Sequence, residues 1–98
     1  MQQLAFNYQL LVKPDIIELR ADVDFEQEDI KPMAHYLLSK IADSRLIEIV
    51  EGVDRAYFRA DIQNQSFTIN FEVYSQSCWL EPESPKEQAV LHHITSFL

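Results

Sequence analysis

The stretch DRAYFRADIQNQSFTINFEVYSQSCWLE, residues 54–81, decides the fold of this chain. Ala56, Phe58, Ala60 and Ile62 alternate with Arg55, Tyr57, Arg59 and Asp61; Phe67, Ile69, Phe71 and Val73 then alternate with Thr68, Asn70, Glu72 and Tyr74. Successive side chains of a strand point to opposite faces, so a period of two predicts strands with one dry and one wet side. Small alanines opposing large side chains suit an interdigitated core. The wet side carries arginines, tyrosines and a glutamate, more aromatic and guanidinium character than solubility requires.

Working outward, Glu51-Gly52-Val53-Asp54 has the composition of a tight hairpin with glycine at its first central position. That turn pairs Ile49 with Ala56, Ile47 with Phe58 and Glu48 with Tyr57. A second hairpin around Asn64-Gln65 pairs Ile62 with Phe67, Ala60 with Ile69, Phe58 with Phe71 and Ala56 with Val73. With these registers Glu48, Tyr57 and Glu72 form one row, Arg55 lies opposite Tyr74, and Arg59 opposite Asn70. Ser75-Gln76-Ser77 turns the chain into a short closing strand, Cys78–Glu81, with Cys78 and Leu80 inward and Trp79 outward.

Toward the N-terminus, Leu4, Phe6, Tyr8, Leu10 and Val12 share one face, as do Ile17, Leu19, Ala21 and Val23, with the turn signal Lys13-Pro14-Asp15 between. Pairing Val12 with Ile17 sets Leu10 against Leu19, Tyr8 against Ala21, Phe6 against Val23 and Gln9 against Arg20. A slip of one residue would bury Glu18 and Arg20, so the pattern fixes the register. Ile30, Met33, Ala34, Leu37, Leu38 and Ile41 have helical spacing, with Lys31, His35 and Ser39 opposite. Pro32 must lie in the first turn, placing the cap near Asp29 and the end near Asp43. Ser84-Pro85-Lys86-Glu87 is a capping box with proline at the first helical position, opening a helix with Val90, Leu91, Ile94, Phe97 and Leu98 on its apolar stripe.

These elements predict a single α+β domain over residues 1–98. The expected form is a two-layer sandwich, a mostly antiparallel sheet of about five strands with two helices on one face, in the order β-β-α-β-β-β-α. At 98 residues, 47% hydrophobic and 24% charged, the chain has the composition of an ordered globular domain. The uncovered sheet face is the candidate binding face: Glu48, Arg55, Tyr57, Arg59, Asn70, Glu72, Tyr74 and Trp79.

Eight basic against sixteen acidic residues give a formal charge of −8. Such a field repels phosphate backbones and anionic membranes and steers a basic protein partner inward, so no nucleic acid and no membrane is expected as partner. Cys78 is the only cysteine, which leaves no internal disulfide and no cysteine-based zinc site. Met1–Lys13 lacks the features of a signal peptide and no run nears the ~20 apolar residues that span a bilayer, so the expected location is cytoplasmic.

The sole glycine, Gly52, is already placed in a turn, which excludes phosphate-cradling and dinucleotide loops. Five carboxylates crowd residues 22–29, but a calcium loop would need glycine at Gln27 and glutamate at Met33; acids gathered at a helix N-terminus are the plainer reading. His92 and His93 are neighbours about 100° apart on a helix and so make no same-face pair, and His35 lies on a wet face. Cys78 reads as a small buried apolar residue. No catalytic signature and no cofactor is expected.

The run Phe71-Glu72-Val73-Tyr74-Ser75-Gln76-Ser77-Cys78-Trp79-Leu80-Glu81 resembles that of a family of small bacterial cytosolic proteins of unknown function. The resemblance implies a bacterial single-domain protein and carries no activity, cofactor or site. The residues themselves point first to a non-catalytic protein-interaction module, an adaptor or an inhibitor of immunity-protein type, acting through the polar aromatic face or the acidic segment. The alternatives are a small-ligand binder or enzyme using Arg55, Arg59 and Glu72, and a structural homo-oligomer, a homodimer formed by stacking two such faces.

Overall fold

The computed structural model describes residues 6–84 and 88–98. Its elements run β1 (Tyr8–Val12), β2 (Ile17–Ala21), a 3-10 turn (Gln27–Asp29), α1 (Ile30–Lys40), β3 (Ser44–Gly52), β4 (Arg55–Ile62), β5 (Gln65–Glu72), β6 (Ser77–Pro82), α2 (Gln88–Ile94) and a 3-10 turn (Thr95–Phe97). The chain is α+β, with one six-stranded antiparallel sheet in the order β1-β2-β6-β5-β4-β3. The expected count of about five strands is therefore one too low. The closing segment forms a full strand, β6, inserted between β2 and β5, and the chain order becomes β-β-α-β-β-β-β-α.

This order dictates the path of the chain. β2 and β3 lie four positions apart, roughly 19 Å at sheet spacing, and α1 with its flanking turns carries the chain across that distance. The meander β3 to β6 then returns to β2. Ile17, Leu19, Ala56, Phe58, Ala60, Ile62, Phe67, Ile69, Phe71, Cys78 and Leu80 from the strands are at most 4% exposed, and they form one cluster with Ile30, Met33, Ala34 and Leu37 of α1 and Leu91 and Ile94 of α2. Phe71 is at the centre of an edge-on aromatic chain, 5.8 Å from Phe58 and 5.9 Å from Phe25 between ring centres.

The β1–β2 register is the expected one, Val12 opposite Ile17 through Tyr8 opposite Ala21. Pairing stops there: Val23 is 69% exposed and lies beyond β2, so the expected partnership with Phe6 does not form. The other two hairpins differ from expectation by a two-residue slip. The β4–β5 loop is Gln63-Asn64, both left-handed at φ 52° and 66°, the type I′ geometry whose twist matches the strands it joins. It sets Ala60 against Phe67, Phe58 against Ile69 and Ala56 against Phe71. The β3–β4 loop is Val53-Asp54, with Asp54 left-handed at φ 57°, a conformation that Asp tolerates. Gly52 is thus a strand residue opposite Arg55, and a Cβ on it would stand 3.0 Å from Arg55 Cγ. The glycine makes room for the arginine stem rather than for a turn.

A bulge between Leu46 and Glu48 adds Ile47 as an unpaired residue and turns it outward, 48% exposed. It was expected inward against Phe58. A bulge bends an edge strand and blunts it against further pairing, and β3 is such an edge.

Helix α1 begins after a turn in which the Glu26 amide donates to Asp29 Oδ2 at 2.9 Å. It ends at Lys40, three residues before the expected Asp43, where Ser44 Oγ donates to the carbonyls of Leu38 and Ile41 at 2.8 and 2.9 Å. Those bonds satisfy carbonyls that a helix end leaves orphaned. The expected capping box at Ser84-Pro85-Lys86-Glu87 lies largely outside the described residues.

Candidate binding face

The residues of β1 to β6 that alternate with the core positions form the second sheet face, which neither helix covers. The observed registers arrange it in rows. One row crosses all six strands as Leu11, Glu18, Trp79, Asn70, Tyr57 and Val50. A second holds Ser77, Glu72, Arg55 and Gly52, and a third Glu81, Thr68, Arg59 and Glu48.

Because the slips are of two residues, every candidate strand residue keeps its face but changes its neighbour. Glu48 meets Arg59 rather than Tyr57, Tyr57 meets Asn70, and Arg55 meets Glu72. Tyr74 is not in a strand at all; it stands in the β5–β6 turn, 96% exposed, and Arg55 lies opposite Glu72 instead. Arg55, Arg59 and Glu72 do not converge as a catalytic trio would, since Arg59 belongs to a different row and is engaged elsewhere.

That engagement is with a residue the sequence reading missed. Glu83 takes Arg59 in a two-point grip, Nε to Oε1 at 2.7 Å and Nη2 to Oε2 at 3.2 Å, while Nη1 reaches Glu48 at 3.5 Å. Hydrogen bonding and charge from Glu83, then Glu48, hold the guanidinium pKa above its usual value. Glu83 lies just past β6, located by its amide donating to the Ser66 carbonyl at 3.0 Å, so alternation within a strand could not reveal it. Glu81 is the other missed residue. Its Oε1 accepts from Trp79 Nε1 at 3.2 Å and from Asn70 Nδ2 at 3.3 Å, a contact legible as an i, i+2 pair on one strand face.

Further out, Arg45 pairs with Asp61 at 3.1 Å and Arg20 approaches Glu18 at 3.6 Å. Lys13 bonds to Glu18 at 3.0 Å, and that hydrogen bond leads the causes that hold the Glu18 carboxyl below its usual range. Two of the depressions on this surface share Tyr57 and Asn70. One of about 640 Å³ opens between Glu48, Arg59 and Glu81; a smaller one, about 280 Å³, lies between Val50, Arg55, Glu72 and Trp79.

A family model described as a protein of unknown function (DUF3630) matches residues 7–98. The chain belongs to this family. No curated protein and no solved structure matches it. In this DUF3630 chain the segment that carried the resemblance, Phe71 to Glu81, is the β5–β6 hairpin at the centre of the sheet, and it sets Glu72, Trp79 and Glu81 on the open face.

The remaining sequence candidates fall elsewhere in the DUF3630 fold. Cys78 is 2% exposed, and burial pushes its thiol far above the usual range, which keeps it a neutral packing group. His35 is only half-exposed and has its Nε2 enclosed, so the expected wet position is corrected. His92 and His93 are exposed, His93 edge-on to Phe97. Among the described residues no group of three His, Cys, Asp or Glu side chains is placed to hold a metal ion, and no helix is long and apolar enough to cross a membrane.

Proposed function

We propose that this protein is a non-catalytic, cytoplasmic protein-interaction module that binds through the open sheet face. The observation that carries the reading is the segregation of its cations. All four arginines, Arg20, Arg45, Arg55 and Arg59, stand at outward strand positions, on the same sheet face as Tyr57 and Trp79. The described lysines do not: Lys31 and Lys40 belong to α1, and Lys13 to the β1–β2 turn. Arginine, tyrosine and tryptophan are enriched at the energetic centres of interfaces and lysine is depleted there. The two-point grip of Arg59 on Glu83 requires a guanidinium, but ion pairing alone does not demand arginine at the other three positions.

An adaptor or an inhibitor of immunity-protein type fits such a face. The net charge of −8 would speed the approach of a basic partner, and the partner's final contacts would be made with the aromatic row. The test is capture of a bound protein by the wild type and by the variant Arg55→Ala/Tyr57→Ala/Trp79→Ala. The reading expects capture to be lost while the circular dichroism spectrum is kept; undiminished capture by the folded variant would remove the face from consideration.

A further inference from the structure

Resting on the reading that the open sheet face binds protein, its charge pattern identifies the partner. The outward strand positions hold four arginines and five carboxylates, Glu18, Glu48, Asp61, Glu72 and Glu81. Glu83 joins them from just beyond β6, and most of the formal −8 lies in the turns and connecting segments rather than on this face. The whole-chain charge steers a basic partner's approach but not its final contacts, and at those contacts a surface of uniform sign gains less from so balanced a face. A surface with the same alternation of sign gains most.

Three of the arginines are paired within the chain: Arg20 with Glu18, Arg45 with Asp61, and Arg59 with Glu83 and Glu48. Arg55 and Glu72 differ. They are directly opposite in register on β4 and β5, yet among the described residues neither side chain makes an ion pair or a hydrogen bond. The face thus presents one free cation and one free anion on neighbouring strands, at the rim of the depression that Val50, Tyr57 and Trp79 line.

We infer that the partner is a second copy of this chain, stacked face to face about a twofold axis that runs along the strands between β4 and β5. That axis exchanges β4 with β5 and β3 with β6, so Arg55 of each copy lies over Glu72 of the other. Within the shared row Tyr57 meets Asn70 and Val50 meets Trp79, an apolar contact on each side of the axis. Glu48 and Glu81 approach one another, with Arg59 of both copies beside them. Such a contact is isologous and closes at two copies.

Size and charge set its strength. Four strands overlap, about 19 Å across at sheet spacing, which is a patch at the low end of stable interfaces; the dimer is reversible and concentration-dependent. Each copy carries a formal charge of −8, so the two repel one another, and added salt, which shortens the Debye length from ~8 Å, weakens that repulsion.

Sedimentation velocity from about 5 to about 500 µM, a range that brackets micromolar association, tests the inference on the full chain. The wild type is expected to shift from monomer to dimer, with a parallel blue shift in emission from Trp79, the only tryptophan. Arg55→Glu alone and Glu72→Arg alone, each folded by circular dichroism, place like charges together and should each weaken dimerisation about 100-fold or more. Mixed in equal amounts they should associate again, because each variant then supplies the charge the other lacks. A wild type that stays monomeric throughout overturns the second-copy inference, as does a mixture that fails to recover. If the wild type is monomeric but the Arg55→Ala/Tyr57→Ala/Trp79→Ala variant loses capture of a different protein, the interaction face stands with another occupant; if capture is unchanged as well, both readings fall.

Discussion

The two faces of β4 and β5 are made by the same sixteen residues of strand and obey opposite rules. On the inner face Ala56, Phe58, Ala60, Ile62, Phe67, Ile69 and Phe71 are nearly all sealed from water, and each contributes burial that scales with its apolar area. On the outer face Arg55, Tyr57, Arg59, Asp61, Thr68, Asn70 and Glu72 meet water and one another, in contacts that exposed pairs make weakly. Folding depends on the first set. The second is left free for recognition, and the two can be separated by substitution.

The largest effect should come from Phe58→Ala, which opens a cavity beside Phe71 and costs about 3–5 kcal/mol in chemical denaturation; a loss comparable to a surface change would break the contrast between the faces. Next is Gln76→Ala. Its side chain accepts from the Phe25 amide at 2.8 Å and donates to the carbonyls of Phe25 and Val73 at 2.9 and 2.8 Å, tying the segment before α1 to the β5–β6 turn. Its removal should cost about 1–3 kcal/mol and speed amide exchange at Phe25.

Cys78 sharpens the comparison through pH. Burial raises its thiol pKa in the folded state, so the folded chain holds that proton more tightly than the unfolded chain does. Its share of stability is complete below the unfolded thiol value of about 8.5 and declines as pH rises above it. Denaturation midpoints of Cys78→Ala should therefore fall less steeply than those of the wild type between neutral and alkaline pH. The smallest effect on stability belongs to the outer face: Tyr57→Ala should stay within about 0.5–1 kcal/mol of the wild type while weakening association.

Alternation revealed the faces, and it revealed them for Ala56 to Ile62 and Phe67 to Phe71 without error. It could not reveal which residues sit opposite, because a slip of two keeps apolar against apolar. Turn chemistry decides that, and here it misdirects: Gly52 draws attention as a turn residue, whereas Gln63, Asn64 and Asp54 take the left-handed positions. The β1–β2 register was legible because there the turn signal Lys13-Pro14-Asp15 does mark the loop, and the pattern had only to exclude the slip of one that would bury Glu18 and Arg20. Ile47 carries no mark of its bulge, since an isoleucine in an alternating strand reads as inward. Glu83 was invisible for another reason: it reaches Arg59 from beyond a strand end, a contact only tertiary structure creates.

The most direct measurement of the central claim is the variant Arg55→Ala/Tyr57→Ala/Trp79→Ala, followed in one preparation by chemical denaturation and by sedimentation. The account predicts an unfolding midpoint close to that of the wild type together with loss of association. A variant that unfolds as readily as Phe58→Ala, or one that folds and still associates as the wild type does, would contradict it.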